Sequence, residues 1–364
     1  MKTKQIAPAK AIHPGEILKD ELDAREISQK EFAIKLGIQP TQLNEIIKGK
    51  RGITAEHAVL IGKALEMEPI IWQNLQSLYE LDQVKINERT QNRLIAIDQW
   101  NMIKNLVPEK FLKKMGVING DPVNDIPYIK EFYQLNKLEE LPAVYRKSES
   151  FLNRKSTKHS VDQINLMGWV NLIKTTASKI QVEKFDENKE REIINSLKNA
   201  IAINKNTIET CKSILASFGI KLIILKNPEK CAVDGVSFWS HKNPTIGLSV
   251  RYKRIDNFSF TLFHELGHIF RHLISNKESE FIDIELRMDI DFSKAENEAD
   301  EYAMNNLINH TEWESFINSP NRLQKKAILD FAKKLKIHPA IIKGRLSYEL
   351  NSYSLKIDIE DSIG

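Results

Sequence analysis

The sequence predicts a multidomain chain: an all-α domain of short helices, a helical middle region, and an α+β domain at the C-terminus. Three observations carry this expectation. The 364 residues exceed the size at which a single core usually stops growing. The first eighty residues break into short helices, each with its own start and stop signals. From Gly219 the apolar period turns from helical to alternating, and it becomes helical again near residue 257.

Pro14 opens the first helix, running to about Ala24 with Ile17, Leu18 and Leu22 on its apolar face. Ser28 caps the second, and Glu31 three residues on completes a capping box. Phe32, Ala33 and Leu36 form its buried side, and Gly37 ends it. After Ile38-Gln39, Pro40 starts a third helix at the position where a missing N–H does no harm. Gln39 is a poor cap, so entry to this helix is expected to be soft. Leu43, Ile46 and Ile47 face inward, and Gly49 closes the helix. Thr54 caps a fourth helix to about Leu65, and Pro69 introduces a fifth through Trp72, Leu75 and Leu78.

The second and third helices, joined at Gly37, make a helix-turn-helix, which lays its second helix in the DNA major groove. Gln42 and Asn44 suit adenine edges, and Thr41 suits a thymine methyl or a phosphate. Gln29 is expected to anchor a phosphate, and Lys48, Lys50 and Arg51 to contact the DNA backbone. Residues 1–80 carry eleven basic and eleven acidic side chains, so the local cluster at 48–51 must supply the attraction. The bland alternative is a small helical interaction domain with a merely solvated polar face.

Residues 82–205 form the expected middle region. Helical spacing covers Ile86–Leu106 and breaks at Pro108. Gly120, Pro122 and Pro127 suggest a turn-rich joint over 119–127, and 146–160 reads as a polar exposed loop. Helical patterns resume over about 161–178, 187–203 and 207–218. The expected C-terminal domain covers 206–364. Ile220–Leu225, Ala232–Ser240 and Pro244–Val250 read as strands, separated by Asn-Pro and Asp-Gly turn signals. A helix is expected at 257–273, a short strand at 281–285, and helices at about 294–308, 322–336 and 339–350.

Residues 260–272 place His264, Glu265 and His268 in a strongly apolar helix. Imidazoles four residues apart project from one helical face and can reach a single ion. Glu265 cannot be cheaply buried as an unpaired charge, and it suits a base acting on water at that ion. A catalytic zinc takes three protein ligands. Glu296 is the candidate third ligand, with Asp300 four residues on to orient a ligating imidazole. Glu298 is the rival ligand, but it points about half a turn away. His272 continues the series yet drifts too far for the same tetrahedral ion, so it reads as a neighbour or a surface residue. His310, His338, Tyr252 and Tyr302 could assist an oxyanion, but each is more often a satisfied structural residue. Pro244–Val250 is the strand expected to accept substrate backbone.

Composition limits the remaining classes. A net charge of +4 is too small to imply nucleic-acid or membrane binding by itself. Cys211 and Cys231 are the only cysteines and lack CxxC spacing, which argues against a disulfide framework or thiolate cluster. No apolar run approaches membrane-spanning length, so a cytoplasmic protein without membrane contact is expected.

Residues 235–308 resemble the ImmA/IrrE family of metallopeptidases through Gly-Val-Ser-Phe-Trp, Pro-Thr-Ile-Gly-Leu-Ser, Phe-Thr-Leu-Phe-His-Glu-Leu-Gly-His and Glu-x-Glu-Ala-Asp-x-Tyr-Ala. The likeness extends through Ile-His-Pro-Ala-Ile-Ile-x-Gly-Arg-Leu at 337–346. It implies a gluzincin-like fold, one Zn2+, Glu296 as a ligand, and cleavage of a transcriptional repressor. Residues 12–81 resemble the XRE-type helix-turn-helix, particularly its HigA antitoxin branch, through His-Pro-Gly-Glu-Ile-Leu, Ser-Gln-Lys-Glu-Phe-Ala and Leu-Asn-Glu-Ile-Ile-Lys-Gly-Lys-Arg-Gly-Ile-Thr. That implies operator DNA bound as a homodimer, autoregulation, and a toxin as a possible partner. Two functions follow. One is a regulator fused to a zinc endopeptidase that cuts a repressor or itself. The other is a non-enzymatic HigA-type antitoxin whose C-terminal half binds metal or toxin without cutting.

Overall fold

The computed structural model describes residues 8–145, 162–284, 294–352 and 355–364, and the stretch 146–160 lies outside them. The chain forms two compact units, Met1–Met102 and Ile103–Gly364.

The first unit holds α1 (Pro14–Ala24), α2 (Gln29–Leu36), α3 (Pro40–Ile47), α4 (Ala55–Leu65) and α5 (Pro69–Ile86), then most of Glu88–Ile103. The caps act as their residue types require. His13 Nδ1 accepts from Gly15 N–H at 2.9 Å, and Ser28 Oγ accepts from Glu31 N–H at 3.2 Å. Gly37 closes α2 at φ +71°, a left-handed conformation that costs glycine little. Gln39 makes no side-chain cap at α3. Leu18, Phe32, Leu43, Ile46, Ile61 and Trp72 fill the core between these helices. The helical spacing of 86–106 divides in two because Asn87 is extended, with its Oδ1 accepting from Thr90 N–H.

The second unit is built on a mixed four-stranded sheet in the order β1-β3-β2-β4. The strands are β1 (Lys221–Ile224), β2 (Val233–Ser240), β3 (Asn243–Leu248) and β4 (Glu280–Ile284). β1 is parallel to β3, and the other pairs are antiparallel. This corrects the expectation for Pro244–Val250. β3 is paired on both edges, by β1 and by β2, so it has no free edge for a substrate.

Side chains alternate across a strand, so each face of β2 and β3 meets a different helix. Gly235 faces the helix Ile255–His268, while its neighbour Val236 packs near Gly247 and Ile173. Ile173 belongs to Gln163–Lys179, which thus covers the opposite face. Trp169 of that helix is fully buried and donates its Nε1–H to Leu225 O at 2.8 Å. A segment that reads as middle region in sequence therefore completes the layers around the sheet.

Residues 119–127 are a second correction. Asp121 caps a helix, Pro122–Phe132, whose interior includes Pro127. The buried Asp125 carboxylate accepts from Asn119 N–H and Gly120 N–H, fixing the approach to the helix. A further helix, His310–Ile317, has no counterpart among the helices expected from sequence. Asn309 caps it through Thr311 N–H.

The 337–346 segment is a brace. His338 caps the helix Pro339–Glu349, and Arg345 on it lies 4.4 Å from the Trp313 ring centre. Arg345 also donates to Ile308 O at 3.1 Å and to Glu349 Oε1 at 2.9 Å. It thereby satisfies a carbonyl at the end of Lys294–Leu307. Arg345→Ala is expected to cost about 2 kcal/mol of stability through lost packing and charged hydrogen bonds, read as a lowered denaturant midpoint.

Candidate metal centre and candidate nucleic-acid interface

The helix Ile255–His268 has no side-chain cap at Arg254. Its first N–H, on Ile255, donates instead to Asp361 O of the C-terminal tail at 2.8 Å. Residues Thr261–His268 are all buried. The helix Lys294–Leu307 crosses it closely at Gly267, where an added Cβ would lie 3.0 Å from Ala299 Cα. A larger residue there would push the two helices apart. That contact accounts for a glycine inside an apolar helix, where it costs propensity.

The crossing brings three expected ligands together. His264 Nε2 and His268 Nε2 lie 3.0 Å apart. Glu296 Oε2 lies 3.4 Å from the first and 3.6 Å from the second. Ligand atoms of all three residues fall within 4.8 Å of one another, and all three residues are buried. Burial lowers the His268 pKa to about 4, so its ring is neutral and offers a lone pair near pH 7. Burial acts the same way on His264, but hydrogen bonds donated to Asp300 and Glu296 outweigh it and hold that ring's pKa well up. Two imidazole nitrogens and a carboxylate facing one point are a donor set that suits zinc.

Asp300 Oδ1 lies 2.8 Å from His264 Nδ1, on the side of the ring away from the cluster. Glu298 does not join the cluster; its Oε2 lies 2.9 Å from His272 Nε2. Glu265 is fully buried, and neither carboxylate oxygen makes a well-formed hydrogen bond, although Ser237 on β2 lies close enough to ease its charge. Burial pushes its pKa up to about 8, against the pull of neighbouring His264. Asp283 on β4 adds negative charge that raises both Glu265 and His264. Phe281, two residues earlier, stacks on His268 with ring centres 4.3 Å apart. Neither residue on β4 stands out in sequence, because the strand follows the motif by no fixed spacing.

Of the oxyanion candidates, Tyr302 packs beneath Arg271, with the guanidinium 5.0 Å from its ring centre, and His338 serves as a cap. His310 pairs with Glu314 and Tyr252 with Arg251, both on the surface.

On the first unit, α3 exposes Thr41 and half-buries Gln42 and Asn44, while Lys48, Lys50 and Arg51 are exposed beyond its end. Arg51 is held to Glu45 at 3.0 Å. Gln42 meets His57 Nε2 at 2.9 Å, so a buried residue of α4 steadies it. Gln29 is half-buried at the start of α2.

Fold and site define a class: a helix-turn-helix regulator domain joined to a domain of the HExxH metallopeptidase type. A family model described as helix-turn-helix matches residues 18–72, and one described as IrrE N-terminal-like domain matches residues 215–347. Virulence-associated protein I of Dichelobacter nodosus is 34% identical over 88 residues, covering 24% of this chain and 82% of that protein. The uncharacterized HTH-type transcriptional regulator YddM of Escherichia coli is 32% identical over 68 residues, 19% of this chain and 72% of that one. The Pseudomonas aeruginosa antitoxin HigA, solved with the higBA promoter, is 36% identical. That match covers 22% of this chain and 90% of the other, with a TM-score of 0.22. The chain belongs to the XRE-type helix-turn-helix regulators and carries an ImmA/IrrE-like domain fused behind that module. Among the described residues no helix is long and apolar enough to cross a membrane.

Proposed function

We propose that this protein is a DNA-binding transcription regulator whose C-terminal domain is a zinc-dependent endopeptidase of gluzincin type, cutting a repressor or the chain itself. The observation that carries the reading is the buried set His264, His268 and Glu296 beside a fully buried Glu265 whose carboxylate makes no well-formed hydrogen bond. A metal-binding relic has no need of that carboxylate, and leaving it unpaired in the interior is costly. His264, His268 and Glu296 would hold the ion, and Asp300 would keep Nε2 of His264 directed at it. A zinc ion held there would supply a Lewis acid and lower the pKa of water to about 7. Glu265, ionised beside the cation, would take the proton from the attacking water and deliver it to the leaving amide nitrogen. β4 carries Phe281 and Asp283 beside these groups, and substrate backbone would add along its outer edge.

The test is cleavage of candidate repressors, and of the chain, by purified protein of measured zinc content. If wild type and Glu265→Gln leave every candidate equally intact, a non-enzymatic regulator takes the place of this reading.

In the same proposal residues 1–81 bind operator DNA, with Gln42, Asn44 and Thr41 reading bases. Gln29, Lys48, Lys50 and Arg51 contact phosphates. A homodimer would match two half-sites, and Leu78, Leu81 and Val84 leave an exposed apolar stripe on α5 for it. Replacing Lys48, Lys50 and Arg51 together by alanine should weaken binding uniformly across sequences and cut the log–log salt slope by about 3. Gln42→Ala should instead cost about 1–3 kcal/mol of discrimination at one base pair. Mobility shifts on the DNA upstream of the coding region, at several salt concentrations, separate the two effects.

A further inference from the structure

We infer that His272 and Glu298 are positioning residues: together they fix the proton on Nδ1 of His268 and so hold its Nε2 lone pair toward the metal. The inference rests on the zinc-site reading above and adds two residues to it.

The two ligating rings are supported differently. His264 Nδ1 meets a carboxylate directly, Asp300 Oδ1 at 2.8 Å. An ionised carboxylate can only accept, so that nitrogen carries a proton, and in the neutral ring Nε2 is bare. His268 Nδ1 instead meets another imidazole nitrogen, His272 Nδ1, at 3.2 Å. Taken alone, that contact leaves the direction of donation open. The next contact closes it. His272 Nε2 lies 2.9 Å from Glu298 Oε2, and this carboxylate also accepts only. In the neutral state His272 therefore carries its proton on Nε2 and presents a lone pair at Nδ1. That lone pair accepts from His268 Nδ1–H, and His268 Nε2 is left bare beside His264 Nε2 and Glu296.

Two further features support the arrangement. His272 lies in the five-residue π-helical turn Ile269–Leu273, which directly follows the α-helix bearing the ligands. Such turns recur at functional sites. Phe281 of β4 stacks on His268, with a 12° interplanar angle, and its ring centre lies 5.2 Å from that of His272. One ring thus restrains both imidazoles. Without the acceptor at His272, the tautomer of His268 with its proton on Nε2 becomes accessible, and that form cannot ligate a cation.

The experiment measures Zn2+ affinity of the full chain by competition with a chromophoric chelator, with Co2+ absorption as a second readout of the ligand field. His272→Phe removes the acceptor and should weaken Zn2+ binding about 10–100-fold. His272→Asn keeps an acceptor where Nδ1 stood and should recover most of that loss. Glu298→Ala should weaken binding several-fold in the wild-type background and add nothing to His272→Phe or His272→Asn, neither of which places a donor where His272 Nε2 stood. Affinity of His272→Phe within twofold of wild type would overturn the relay, as would equal losses from Glu298→Ala in all backgrounds. Should His272→Phe fail to fold, the cycle of His272→Asn with Glu298→Ala still decides. Wild-type protein that takes up no zinc removes the metal-site reading and the relay with it. Tight wild-type binding that His272 and Glu298 do not influence removes only the relay.

Discussion

Glu265→Gln is expected to abolish peptide cleavage while the protein keeps its zinc and, in chelator, becomes more stable. The first effect follows from the proposed role of the carboxylate. A general base contributes about 10²–10⁴ in rate, and glutamine cannot take up the proton. The second follows from its surroundings. Burial raises the Glu265 pKa to about 8 from an ordinary value of 4.5. Between those two pH values the folded protein holds a proton that the unfolded chain releases. Stability therefore falls as pH rises through the window. At pH 7 the cost is on the order of 3 kcal/mol, and a neutral amide avoids it. Thermal melts in chelator should show little gain from the substitution near pH 4.5 and a growing gain toward pH 8. A gain independent of pH would mean that Glu265 is not the titrating group. Loss of zinc along with loss of cleavage would mean that it helps to hold the ion.

The parts of this architecture that were legible in the sequence are those set by local chemistry. Ser28 with Glu31, Gly37, Pro40 and Thr54 mark helix ends through hydrogen bonds spanning a few residues, and the helix-turn-helix follows from them. The spacing of His264 and His268 is likewise a property of one helix. What is not legible depends on contacts distant in sequence. β3 alternates like any half-buried strand, and only the return of β1 and β2 makes it central. Pro127 reads as a breaker, yet Pro122–Phe132 accommodates it. The cover supplied by Gln163–Lys179 depends on Trp169 reaching Leu225 O across 56 residues. The pairing of His272 with Glu298 needs the crossing at Gly267, which no periodicity reveals.

Gly235→Ala should disable cleavage nearly as thoroughly as loss of Glu265, from a residue that carries no functional group. Gly235 lies on β2, opposite Leu248 of β3 on one side and Asp283 of β4 on the other. The space where its side chain would be is filled by the Glu265 carboxylate. An added Cβ would stand 2.1 Å from Oε1, 2.8 Å from Cδ and 3.0 Å from Cγ of Glu265. Neither partner yields easily, because β2 is paired on both edges and Glu265 rides on a buried helix. The alanine must displace the carboxylate or part the helix from the sheet. Overpacking of this kind costs about 1–3 kcal/mol, and a shift of about 1 Å at a reacting group costs about 100-fold in rate. His264, His268 and Glu296 are not among the nearest atoms to the added methyl, so zinc content should stay near wild type. Shortening the neighbour supplies the control. In a Glu265→Ala background the same methyl has room, and its stability cost should largely vanish. An equal cost in both backgrounds would place the strain in the strand itself, and unchanged cleavage by Gly235→Ala would remove Glu265 from the position assigned to the base.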